Sequence, residues 1–89
     1  MQEYVIARVE PFGGELARRK IHREVSGCRC RILKLEIGRA AEFYFTPLDD
    51  TGGNWLWFHT SAVTGIEVGK DGSVEINTLN TLYRLELIK

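Results

Sequence analysis

From Asn54 to Lys89, apolar and polar side chains alternate with a period of two almost without a break. Ile66 and Val68 alternate with Glu67 and Gly69, and Val74, Ile76 and Thr78 alternate with Ser73, Glu75 and Asn77. This is the pattern of half-buried antiparallel strands, because successive side chains leave opposite faces of a sheet. Gly69-Lys70-Asp71-Gly72 separates two of these runs with residues that tolerate positive φ, so it predicts a tight hairpin. A second turn is predicted at Thr78-Leu79-Asn80, ahead of the run from Leu82 to Ile88. Together with the segment from Trp55 to Thr60, the pattern predicts four successive strands in a meander.

The first half carries the same signal with more interruption. Glu3 to Glu10 alternates, with Tyr4, Ile6 and Arg8 on one side and Val5, Ala7 and Val9 on the other. Pro11 and Gly13-Gly14 end that strand, since proline offers no ladder donor and glycine frees the backbone. Glu15 to Ser26 has two readings. As a helix it gathers Ala17, Ile21 and Val25 on one stripe, whereas as a strand it gives the poorer set Ile21, Arg23 and Val25. In Cys28 to Ile37 the apolar side switches: Cys28, Cys30 and Ile32 share one face, and Leu33, Leu35 and Ile37 share the other. A β-bulge near Ile32 and Leu33 would restore the register and bend the strand. Gly38-Arg39 reads as a turn, Ala40 to Thr46 as a strand ended by Pro47, and Leu48 to Asn54 as a polar loop. The expected fold is all-β and mainly antiparallel, a small barrel or roll of five to seven short strands with one short helix at about 15–25. Its shape is comparable to an SH3-like or OB-like barrel. No repeat or linker divides the chain, so one domain is expected over 1–89.

Composition changes this picture in one respect. The 89 residues carry no net charge, yet Arg18, Arg19, Lys20, Arg23, Arg29, Arg31 and Lys34 all fall between Leu16 and Lys34, where Glu24 is the only acid. A local basic patch attracts nucleic acid, anionic surfaces or an acidic protein face, but in a chain that is neutral as a whole the preferred reading is a solvated face. No apolar run is long enough to span a bilayer, and Met1 to Arg8 lacks the order of a secretory signal. A cytoplasmic protein with no membrane partner is therefore expected. Two cysteines are too few for a secreted disulfide scaffold, and their spacing is too short for an unstrained bond along one strand.

Candidate chemistry is sparse. Cys28, Cys30, His22 and His59 are the only thiols and imidazoles, and their spacing fits no common zinc pattern. A thiol nucleophile with a histidine base would lack a third, orienting group. Asp49, Asp50, Thr51 and Asn54 are accounted for by turn chemistry and lack the ligand order of a calcium loop. Neither enzyme activity, nor a metal, nor a cofactor is expected.

Trp55, Trp57 and His59 share one face of their strand, with Leu56, Phe58 and Thr60 on the other, so both faces are apolar. In a domain this small, at least one tryptophan is expected to fill the core. The leading expectation is a non-catalytic protein–protein interaction module, self-association included, in which the last strand offers an open sheet edge. The alternative is nucleic-acid binding. The candidate binding residues are Arg18, Arg19, Lys20, Arg23, Arg29, Arg31, Trp55 and Trp57, the basic ones belonging to the nucleic-acid reading and the tryptophans serving either.

Overall fold

A computed structural model of the chain describes residues 2–11, 25–47 and 54–88. Six antiparallel strands run in chain order: β1 (Tyr4–Pro11), β2 (Arg29–Lys34), β3 (Ala40–Thr46), β4 (Leu56–Val68), β5 (Val74–Thr78) and β6 (Thr81–Leu87). Each pairs with the next, and β6 returns to pair with β1, so the sheet closes into a barrel. Closure leaves the last strand with partners on both sides, β5 and β1. The open edge expected at the C-terminal strand is therefore absent, because a closed barrel has none. The helix expected at 15–25 lies outside the described residues apart from Val25, which is fully buried.

The alternation decides which side chains face inward. Tyr4 and Ile6 of β1, Cys30 of β2, Ala41, Phe43 and Phe45 of β3, and Phe58 and Val63 of β4 all point into the core. Val74 and Ile76 of β5 and Tyr83 and Leu85 of β6 complete it, together with Val25 and Cys28 from the turn before β2. At the centre Phe43 stacks on Phe58, with centroids 5.1 Å apart, and Phe45 meets Phe58 edge-on at 5.4 Å. Four aromatic rings, with Tyr83 the fourth, thus fill the middle of the barrel.

The switch of apolar side in β2 has the anticipated cause. Pairing with β3 slips between Ile32 and Lys34, so Leu33 is the extra residue of a bulge. Ile32 and Leu35 can then both pack against the core, while Ile37 remains exposed.

One boundary differs from the sequence reading. The expected strands on either side of residues 60–64 are one continuous strand of 13 residues. Its first half pairs with β3 and its second with β5, and register shifts opposite Ala40–Glu42 and at Val63–Gly65 bend it between them. The break in period around Thr60 to Thr64 resembles a turn in the sequence, but the backbone continues because neighbours satisfy it. The Thr60 hydroxyl accepts from the Ala41 amide at 3.0 Å, where the shifted register offers no strand partner. Ala62 and Val63 carbonyls accept from the amides of Leu79 and Gly38.

The two hairpin turns form where expected. In the first, Gly72 adopts φ of 87° and its amide donates to the Gly69 carbonyl at 3.1 Å. Asp71 accepts from both the hydroxyl and the amide of Ser73, at 2.7 and 3.0 Å, and these bonds hold its carboxyl below the usual range. In the second, the buried Thr78 hydroxyl accepts from the amides of Asn80 and Thr81 and donates to the Thr81 carbonyl.

Candidate binding face

The outward positions of β2, β3 and β4 form the most distinctive surface of the barrel. The ladder places Arg31 opposite Tyr44 and Tyr44 opposite Trp57, so one row crosses three strands. Glu42 lies opposite His59 on one side of this row, and Arg29 lies opposite Thr46 on the other. Tyr44 and Trp57 are 40% and 52% exposed, a large apolar area to leave in water on a protein this small.

The polar groups of the face are organised around the tryptophans. Trp57 donates from Nε1 to Glu42 Oε1 at 3.3 Å, and its ring lies 5.0 Å from the His59 ring. Trp55 precedes β4 by one residue, in line with Thr46, and Thr46 is fully buried although it points outward. The Arg31 guanidinium sits 4.3 Å from the Trp55 ring centroid and that of Arg29 sits 5.6 Å away. Both lie within cation–π range. Glu3 then bridges the pair, accepting from Arg31 at 3.0 Å and from Arg29 at 3.4 Å. The result is a layered stack in which a carboxylate fixes two guanidinium groups over an indole. Lys34 reaches Glu42 only at 3.8 Å and is itself 70% exposed, so that pair is loose.

Among the residues singled out from the sequence, Arg29, Arg31, Trp55 and Trp57 meet on this face. Arg18, Arg19, Lys20 and Arg23 lie outside the described residues, as does His22. The expectation that a tryptophan fills the core is overturned: both indoles take outward positions, and phenylalanines occupy the interior. An indole inside would bring an N–H needing an acceptor, whereas phenylalanine brings none. Tyr44, Glu3 and Glu42 are members of the face that the sequence reading missed. Tyr44 carried a signal, since it is the aromatic at the polar phase of the alternation in Glu42-Phe43-Tyr44-Phe45.

The thiols are on the other side of the wall. Cys28 and Cys30 are buried and not joined in a disulfide, and burial pushes the Cys30 thiol up to about 12, with the neighbouring Cys28 adding to the rise. His59 points outward from β4, so it and the thiols do not converge. Among the described residues no three histidine, cysteine or acidic side chains are grouped to hold a metal ion. The described cleft near the face, about 180 Å³, is lined by Lys34, Glu36, Arg39, Ala40 and Glu42 at the bulged end of β2.

Compared with family models, curated proteins and solved structures, the chain matches none. Among the described residues, no helix is long and apolar enough to cross a membrane.

Proposed function

We propose that this protein is a non-catalytic protein-interaction module whose contact surface is the outer face of β2, β3 and β4. The observation that carries this reading is the row Arg31, Tyr44, Trp57, with two of its three members large, exposed aromatics. Tyrosine, tryptophan and arginine are the residue types that dominate binding energy at protein interfaces. Their pre-ordering lowers the cost of association: Glu3 and Trp55 hold Arg31, and Glu42 holds Trp57. The expected place of action is the cytosol, in keeping with two cysteines that form no disulfide.

Nucleic-acid binding is the second reading, favoured by planar rings beside guanidinium groups, an arrangement suited to stacking bases. It ranks lower because Glu3 already neutralises the two arginines that would have to meet phosphate.

A photo-crosslinking amino acid in place of Tyr44, introduced in the producing cell, separates these readings. The control position is Glu86, exposed on β6 and across the six-strand ring. Protein adducts from position 44, and few from position 86, are the expected result. Adducts to nucleic acid alone, or none from position 44, would overturn the interaction reading.

A further inference from the structure

We infer that the barrel has a built-in opening at the β1–β2 seam, clasped by Glu3, and that this opening controls chemical access to Cys28 and Cys30. The inference stands apart from the interaction reading above, which concerns the outer face.

The seam is the shortest ladder described in the sheet. Among the described residues, β1 registers with β2 at Tyr4–Cys30 and Val5–Arg29, whereas its register with β6 runs from Tyr4 to Pro11. Two backbone bonds extend the seam. The Ile6 amide donates to the Cys28 carbonyl at 2.8 Å, and the Gly27 amide donates to the Ile6 carbonyl at 2.7 Å. The packing behind it is also thin. Three other ladders are backed by inward pairs that are large on both sides: Ile6 opposite Leu85, Phe43 opposite Phe58 and Ile76 opposite Tyr83. Across this seam the pair is Tyr4 opposite Cys30, and a thiol buries far less apolar surface than an aliphatic or aromatic side chain.

An outer clasp makes up part of the difference. The Glu3 carboxylate, one residue ahead of β1, accepts from Arg29 at 3.4 Å and from Arg31 at 3.0 Å, both on β2. Both guanidinium groups also rest on the Trp55 ring, so the bridge crosses the seam on a fixed platform. Charge-assisted bonds of this kind are stronger than neutral ones, but salt screens them.

Proteins open locally where the backing is weakest, at a free energy below that of global unfolding. When the start of β2 parts from β1, its inward face comes out. That face carries Cys28 and Cys30, which the closed barrel keeps 7% and 0% exposed. Cys30 meets no reagent while the seam is shut and behaves as an ordinary cysteine once it opens. A small soft electrophile such as iodoacetamide then reads the opening. The Cys30 thiol loses its proton to water, its sulfur bonds to the reagent's methylene carbon, and iodide leaves with the electron pair of the broken carbon–iodine bond.

Iodoacetamide labelling of the folded chain, followed by intact mass, tests the inference. Cys28→Ala leaves Cys30 as the only thiol, and the second adduct on the wild type reports the same step. Labelling should run well ahead of the rate that global unfolding permits. Low urea should leave it nearly unchanged, because a local opening exposes little surface. Glu3→Gln should accelerate it about tenfold, through loss of the charge-assisted bonds. Raising salt from about 0.05 to about 1 M should accelerate it several-fold. Ile76→Val, a buried change on β5 away from the seam, should lower global stability and leave labelling unaltered. Labelling that follows global unfolding, so that Ile76→Val speeds it in step with the lost stability, overturns the inference. So does labelling indifferent to both Glu3→Gln and salt. A wild-type Cys30 that reacts as fast as a thiol of the unfolded chain overturns it too, since the closed barrel would then shield nothing.

Discussion

Replacing Phe43 with alanine is expected to destabilise the protein by about 3–5 kcal/mol, the usual cost of deleting a buried phenylalanine. Phe43 is 1% exposed, stacks on Phe58 at 5.1 Å and lies 6.4 Å from the Tyr83 ring. It therefore ties β3 to β4 and reaches across the barrel to β6. Phe45 and Phe58 sit slightly nearer the surface, at 6% and 7%. A domain of this size has roughly 5–10 kcal/mol in total, so the substitution removes a large share and can unfold the chain at physiological temperature. Phe43→Leu conserves most of the volume and should cost much less. Urea denaturation of the three proteins measures the difference. A loss below about 1 kcal/mol for Phe43→Ala would mean that this ring does not occupy the centre of the barrel.

The second large effect is alkaline instability. The Cys30 thiol is held up to about 12 by burial and by the neighbouring Cys28, while an unfolded cysteine titrates near its ordinary value of 9.0. Above that value the unfolded chain releases a proton that the folded barrel retains. Stability contributed by Cys30 is therefore complete below pH 9 and drains away as pH rises towards 12. The slope is ~1.4 kcal/mol per pH unit for one such group. Tyr83 and Cys28 are also raised by burial and act in the same direction. Urea titrations between pH 8 and 10.5 should show wild-type stability falling as pH rises. The slope should be shallower by about the single-group value in Cys30→Ala. Identical slopes in the two proteins would remove Cys30 from the interior.

Much of this fold was legible because alternation is a local property. β3, β5 and β6 fall almost where the period of two places them, and the bulge at Leu33 was visible as an apolar set that changed sides. The continuity of β4 was not legible. Whether Thr60 to Thr64 turns or runs on depends on donors and acceptors supplied by β3 and by the turns at Gly38 and Leu79, all distant in sequence. Closure was equally hidden, since the pairing of β1 with β6 leaves no mark on either strand alone. The candidate binding face lies between these cases. Arg29, Arg31, Trp55 and Trp57 stood out by residue type, but only the cross-strand register could add Tyr44 to their row and Glu3 to their charges.

The central claim is that the barrel keeps phenylalanine inside and holds tryptophan outside as a contact surface. Fluorescence of two single-tryptophan variants in dilute solution tests it most directly. With Trp55→Phe, the remaining Trp57 should emit at long wavelength and be readily quenched by acrylamide. With Trp57→Phe, the remaining Trp55 should be partly shielded beneath Arg31. A blue-shifted, unquenchable Trp57 in dilute solution would put that indole in the core and contradict the account.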